Sequence, residues 1–195
     1  MQAKHTHQRR MHSQTRKKST GLMQQLQNKQ VVMVIAAVLV LLLLLGFKAF
    51  ILFIIIAAAA AVLNYFIHVS NIHLHLGHVS FLAVIFSYTL GFKYGIFMVL
   101  IAHVLAEVLA GHADVEMIIT GAVYIVNCLI ASLLTGVPIV TLGLGLAVFQ
   151  AIATMVLGMG AGTPIAELIT EDGVEFAMLI LYYLTLARPL VALIA

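Results

Sequence analysis

Long runs of apolar residues, separated by short polar stretches, dominate the chain after residue 30. A helix needs about 20 mostly apolar residues to cross a bilayer. Runs that approach this length in the later part of the chain are 79–91, 94–110, 115–135, 138–158 and 175–194. The first of them is short, so we expect part of the preceding loop to extend it, and we expect a tight turn at Gly91–Lys93 to follow it.

The earlier apolar run, 31–67, would reach roughly 55 Å as a helix at 1.5 Å per residue, which is too long for one straight span. Gly46 and Lys48 interrupt it. We therefore take 49–67 as a span and 31–47 as an additional hydrophobic helix that spans, tilts or lies in the interface. The predicted fold is an all-α integral membrane protein: a six-transmembrane-helix bundle over 49–195 with an additional N-terminal hydrophobic segment.

Composition agrees with this class, because 63% of the residues are hydrophobic and 9% are charged, against roughly a quarter charged in soluble domains. Basic residues concentrate in the N-terminal tail 1–30, which has no acidic residue. We expect this tail to be disordered and cytoplasmic. Without interleaved aromatic residues it does not indicate nucleic-acid binding. The single cysteine, Cys128, excludes a disulfide framework.

Charge also orients the predicted bundle. Placing Lys93 and Arg188 on the cytoplasmic side of a cell membrane satisfies the positive-inside rule. The connecting segments 68–78, 111–117 and 159–175 then lie outside, with every acidic residue except Glu107. If 31–47 also spans, the basic tail lies outside or the whole orientation reverses, and the sequence leaves this alternative open.

The segment 91–107 carries a ridge with a period of four: Gly91, Gly95, Val99, His103 and Glu107. Small residues on such a ridge allow close helix packing in lipid. Ionisable residues within a span usually face the bundle interior or a wet cavity. His103 and Glu107 are therefore either a mutually satisfied pair that fixes packing or part of a site for a ligand or cation.

The segment "HVSNIHLHLGH", 68–78, concentrates histidines between two apolar runs. Imidazoles bind zinc, nickel, cobalt or copper when they are neutral, and an unperturbed imidazole is neutral above a pH of about 6.5. The alternatives are a lid over an organic ligand and a simple wet loop. The metal interpretation would use His68, His73, His75 and His78 as ligands.

Other polar residues lie within predicted spans, notably Asn127 and Gln150. Such side chains line a small-molecule pocket or form hydrogen bonds between helices. No triad, phosphate loop or paired carboxylate is visible, so we do not predict an enzyme.

The first predicted span, 49–67, contains a polyalanine stretch in which Ala57 and Ala61 lie four residues apart and so share one helix ridge. This arrangement suits either an internal helix contact or a face for a partner helix.

Taken together, residues 49–195 resemble the substrate-binding S component of energy-coupling-factor (ECF) transporters. The resemblance rests on the Ala57–Ala61 face, the "GFKYG" turn and the ionisable residues late in the third helix, His103 and Glu107. It implies six helices, a first outer loop that covers the substrate, and docking through Ala57 and Ala61 on a transmembrane coupling subunit that works with ATPases. The segment 31–47 departs from the family pattern. The start "MQAKHTHQ" also lacks the metal-binding terminus of the cobalt and nickel members.

The resulting expectation is a substrate-binding membrane component of an uptake transporter for a vitamin-like small molecule or a metal cation. The expected substrate residues are His73, His75, His78, His103, Glu107, Asn127 and Gln150. A divalent metal (nickel, cobalt or zinc) is a possible occupant of the histidine loop. Rod-shape-determining membrane proteins have a similar six-helix plan, so the alternative is a membrane scaffold that organises partner proteins and binds no small molecule.

Overall fold

A computed structural model of the chain describes Met33, residues 47–70 and residues 76–194, except for the side chain of Glu167. The predictions for the tail 1–30, for almost all of 31–47, and for His73 and His75 lie outside these residues. Residues Lys48–Ala195 form one compact unit.

Every regular element that the structure describes in this unit is a helix. The helices are α1 (Lys48–Val69), α2 (His78–Leu90), α3 (Phe92–Ala110), α4 (Val115–Leu133), α5 (Ile139–Ala161), α6 (Ile165–Thr185) and α7 (Ala187–Ile194). Within α3, residues Val99–Leu105 form a π-helical segment.

Four of these helices, α1, α3, α4 and α5, are long and apolar enough to cross a membrane. A fifth crossing results if α6 and α7 count as one span bent by 58°. Helix α2 has only 13 residues and is shorter than a full span. The structure therefore confirms that the described residues are all-helical and include several apolar helices, as in a multi-pass membrane protein.

Glycines with a positive φ angle mark several helix boundaries. Gly77, with φ of 64°, precedes α2, and Gly91, with φ of 98°, separates α2 from α3. Because L-residues rarely adopt this conformation, glycine is the natural residue there. The predicted turn at Gly91–Lys93 is thus confined to Gly91. The preceding loop was predicted to extend the short span 79–91, and it does so by one residue, because α2 begins at His78.

The short connections make each helix from α1 to α6 antiparallel to the next, so the bundle has two chemically different ends. One end, here called the basic end, holds the start of α1 at Lys48, the start of α3 near Lys93 and the start of α7 near Arg188. The other, here called the histidine end, holds the end of α1 at His68 and the start of α2 at His78.

Close helix contacts depend on small residues, as the ridge pattern predicted. A methyl group on Gly95 would collide with the Ser87 side chain and come within 2.9 Å of the Ala83 carbonyl oxygen, both on α2. A methyl group on Gly143 of α5 would collide with the ring of Tyr183 on α6. These glycines let neighbouring helices approach more closely than any larger residue would allow.

The prediction that 159–175 is an outer loop was wrong. Helix α5 continues to Ala161, and α6 begins at Ile165, directly after Pro164. Proline suits the first turn of a helix, because its missing N–H would have no intrahelical partner there. The acidic residues that suggested a loop lie on α6, where Asp172 and Glu175 are buried.

Candidate functional site

A carboxylate held between two imidazoles lies at the histidine end of the bundle. Glu107 Oε1 is 2.7 Å from His103 Nδ1, one turn earlier on α3. The same oxygen is 3.1 Å from His68 Nε2, which comes from the last turn of α1. Glu107 and His103 are only 5% and 4% exposed. This cluster joins α1 to α3.

The backbone of α3 shapes this cluster. The π-helical segment Val99–Leu105 contains His103 and ends just before the turn that carries Glu107. Such wide turns inside α-helices occur frequently at functional sites. On the neighbouring helix α4, Gly121 leaves room for the imidazole, because a methyl group there would lie 3.3 Å from His103 Cδ2.

His103 has an oxygen next to each of its ring nitrogens. Nδ1 faces Glu107, and Nε2 lies 3.1 Å from the carbonyl oxygen of Met117. A doubly protonated ring donates a hydrogen bond to both oxygens, whereas a neutral ring donates to only one. The ring of His103 is therefore held between two hydrogen-bond acceptors, the Glu107 carboxylate and the Met117 carbonyl oxygen.

A small cavity of about 20 Å³ adjoins this cluster. A space of this size holds one water molecule or one group of similar size. Its walls come from α1, α2, α3, α4 and the segment that precedes α2. The lining residues are Asn64, His68, Leu76, Gly77, His78, Val79, His103, Glu107, Thr120 and Tyr124.

Two lining residues carry buried atoms that have no hydrogen-bond partner among the described residues. These atoms are Asn64 Nδ2 and His78 Nδ1. The other ring nitrogen of His78, Nε2, lies 3.4 Å from the carbonyl oxygen of Ala60. Since a buried polar group without a partner is costly, these two atoms indicate that a water or ligand group belongs in the cavity.

A buried hydrogen-bond network continues from the cavity wall into the bundle. The Tyr124 hydroxyl donates to Glu175 Oε1 at 2.6 Å, and Gln150 Nε2 donates to the same oxygen at 2.8 Å. Gln150 Oε1 in turn accepts from the Ser80 hydroxyl at 2.5 Å and from Asn127 Nδ2 at 2.9 Å. The network links α2, α4, α5 and α6.

The predicted substrate residues divide into three groups. His78, His103 and Glu107 line the cavity, as does His68 from the predicted metal set. Asn127 and Gln150 belong to the buried network and do not line the cavity. His73 and His75 lie outside the described residues, so their role stays a prediction.

Sequence reasoning missed Glu175 and Ser80. Glu175 lies where the predicted loop 159–175 meets the predicted span 175–194, and Ser80 is a single small polar residue in an apolar run. The helical spacing of Asp172 and Glu175 was an available signal, since residues three apart share one helix face.

The predicted metal site also stays a prediction. Within residues 47–70 and 76–194, no group of three or more His, Cys, Asp or Glu side chains is arranged to hold a metal ion. Two of the four predicted ligands, His68 and His78, do line the same cavity. A metal there would need ligands from His73 or His75.

The Ala57–Ala61 face packs inside the chain in this structure. Ala57 is 2% exposed, and Ala61 is half-buried against the core. The alanines of α1 that face outward are Ala58 and Ala59. The structure thus supports the internal helix contact for Ala57, and docking through Ala57 and Ala61 would require α1 to expose a side that it now buries.

No protein-family model matches the chain, and searches of curated proteins and of solved structures found no match.

Proposed function

We propose that this protein is the substrate-binding membrane component of an uptake transporter for a small molecule or a cation. The observation that carries the proposal is the cavity beside Glu107. Ionisable residues line it, together with two buried polar atoms that have no hydrogen-bond partner among the described residues, inside an apolar helical bundle. Ionisable residues are expensive in a membrane, and those that are present commonly mark a substrate or ion pathway.

The position of the cavity supports uptake. It lies at the histidine end, and the orientation that places Lys93 and Arg188 in the cytoplasm turns this end outward. In the proposed topology, α1 to α5 and the bent pair α6–α7 make six crossings. The cavity then faces the side from which a substrate arrives, and Leu76 and Gly77, directly before α2, line it.

A membrane partner is part of the proposal. Transport needs an energy source, and the proposed source is a transmembrane coupling subunit with its ATPases. Helix α1 offers an outward face with the small residues Ala58 and Ala59 between exposed Ile55 and Val62. A flat, small-residue strip of this kind suits close contact with another helix in lipid.

The test of substrate binding is mass spectrometry of the full chain extracted gently from its native membrane. We expect a small molecule or ion to accompany the wild-type protein and to be lost from Glu107→Gln. The matched control is Glu116→Gln, which makes the same chemical change outside the cavity lining and should retain the ligand. A well-folded wild-type protein that carries no ligand and binds none from a substrate library would contradict the proposal and favour the scaffold.

The test of the partner compares substitutions on α1. Ala58→Leu and Ala59→Leu should abolish co-purification with a coupling subunit while leaving the isolated chain folded, because both residues face outward. Ala57→Leu should instead unfold or destabilise the chain, since its side chain is buried. Complex formation that is unaffected by the two outward substitutions would remove this part of the proposal.

A further inference from the structure

Two residues that line the cavity, Tyr124 and His78, retain hydrogen-bond acceptor atoms. The Tyr124 hydroxyl uses its proton on Glu175, away from the cavity cluster, which leaves the lone pairs of its oxygen. His78 Nε2 faces the Ala60 carbonyl oxygen and so carries the ring proton, which leaves Nδ1 as an acceptor in the neutral ring. Nδ1 is one of the two atoms without a partner among the described residues.

Glu107 adds the strongest acceptor. Both imidazole contacts, from His68 and His103, end on Oε1. Both histidines thus contact the same carboxylate oxygen, and an ionised carboxylate accepts hydrogen bonds at both of its oxygens. A ligand group that donates hydrogen bonds and carries positive charge would match a carboxylate and a neutral imidazole nitrogen together.

Asn64 provides the independent sign that a ligand belongs here. Its side chain is 8% exposed, and its Nδ2 has no hydrogen-bond partner among the described residues. It lines the same cavity as Glu107 and His78. Because Nδ2 donates, it fits an acceptor atom next to the donating group of the ligand.

We propose that the group bound in this cavity is a primary ammonium, held by Glu107 and His78, with Asn64 binding an adjoining oxygen of the ligand or of a water. The size agrees, since a cavity of about 20 Å³ holds one group as small as an ammonium. This inference rests on the proposed binding function and specifies its substrate class: small amines, rather than anions or quaternary ammonium compounds.

The test is isothermal titration calorimetry on the full chain in detergent with three probes: methylammonium chloride, tetramethylammonium chloride and sodium acetate. Methylammonium donates hydrogen bonds and carries charge, tetramethylammonium carries charge without a donor, and acetate has the opposite charge. We expect saturable binding of methylammonium only. His78→Phe should weaken it by about tenfold, as expected for the loss of one hydrogen bond, and Glu107→Gln should abolish it.

The control Glu116→Gln should bind methylammonium like the wild type. Gel filtration and circular dichroism establish that each variant is folded, and His78→Phe keeps the proposal testable if Glu107→Gln does not fold. Equal binding of tetramethylammonium, binding of acetate alone, or unchanged binding by folded His78→Phe would overturn the ammonium assignment.

The ammonium assignment can fail while the proposed substrate-binding function stands, and the two tests distinguish these cases. If an anionic or uncharged molecule accompanies the wild-type protein and methylammonium does not bind, the ammonium assignment fails and substrate binding stands. If no molecule accompanies the protein and no probe binds, both proposals fail.

Discussion

The hydroxyl of Tyr124 on α4 lies 2.6 Å from Glu175 Oε1 on α6. Tyr124 lines the cavity, whereas Glu175 is buried behind it and also accepts a hydrogen bond from Gln150. This bond therefore ties the cavity wall to a network that fixes the positions of several helices. Both partners are more than nine-tenths buried, so the bond is shielded from competing water.

Removing this hydroxyl should destabilise the protein more than removing a comparable one elsewhere. We expect Tyr124→Phe to cost about 1–3 kcal/mol, because it removes a hydrogen bond from a buried carboxyl group. The matched control is Tyr88→Phe at the basic end, where the hydroxyl donates to the Val137 carbonyl oxygen at 3.1 Å. A neutral bond of this kind contributes about 0.5–1.5 kcal/mol. Thermal unfolding in detergent measures both, and equal losses would contradict the larger contribution expected of the buried bond to Glu175.

Close packing of α5 on α6 should depend on one glycine and not on its neighbour. Gly143→Ala would drive a methyl group into the Tyr183 ring, and overpacking of this kind costs about 1–3 kcal/mol. Gly145→Ala is the control, because no heavy atom lies within 4 Å of the added methyl group. It should be neutral or stabilising by up to about 1 kcal/mol. A stable Gly143→Ala variant would show that α5 and α6 do not approach this closely.

Gly77 should control the shape of the cavity. Alanine there would adopt a left-handed conformation, at a cost of about 1–2 kcal/mol, and its methyl group would lie 3.0 Å from Leu179 Cγ. Because His78 follows directly, we expect Gly77→Ala to weaken ligand binding as well as stability. Gly136→Ala, in a turn at the basic end with no atom within 4 Å, should change neither. Calorimetry and thermal unfolding test this, and wild-type binding by Gly77→Ala would exclude the proposed coupling.

The proposed orientation can be checked by labelling single cysteines. Lys93→Cys at the basic end and Ala113→Cys at the histidine end are both exposed. A membrane-impermeant maleimide added to intact cells should label Ala113→Cys, and it should label Lys93→Cys only after permeabilisation. The wild-type chain is the control, because its Cys128 is fully buried. The reverse pattern would turn the cavity toward the cytoplasm and contradict uptake.

Local sequence determined much of this fold. Apolar runs predicted α1 and α3 to α5 with ends close to those observed, because each helix satisfies its own backbone hydrogen bonds and needs only a sufficient apolar length. The pairing of His103 with Glu107 was also predictable. Residues four apart on a helix are neighbours whatever surrounds them, and the observed contact of 2.7 Å confirms it.

Tertiary structure decided the rest. The predicted topology placed the 68–78 segment at the same end of the bundle as Glu107, but nothing local indicated that His68 would contact the carboxylate, or that Tyr124 and Gln150 would converge on Glu175. The acidic residues of α6 lowered its apolar character, so its first ten residues were predicted as loop, although burial of Asp172 and Glu175 makes them part of the core. Ala57 and Ala58 are adjacent and identical in sequence, yet Ala57 is buried against the bundle and Ala58 is exposed. A helical period fixes which residues share a face, but only packing between helices decides what that face meets.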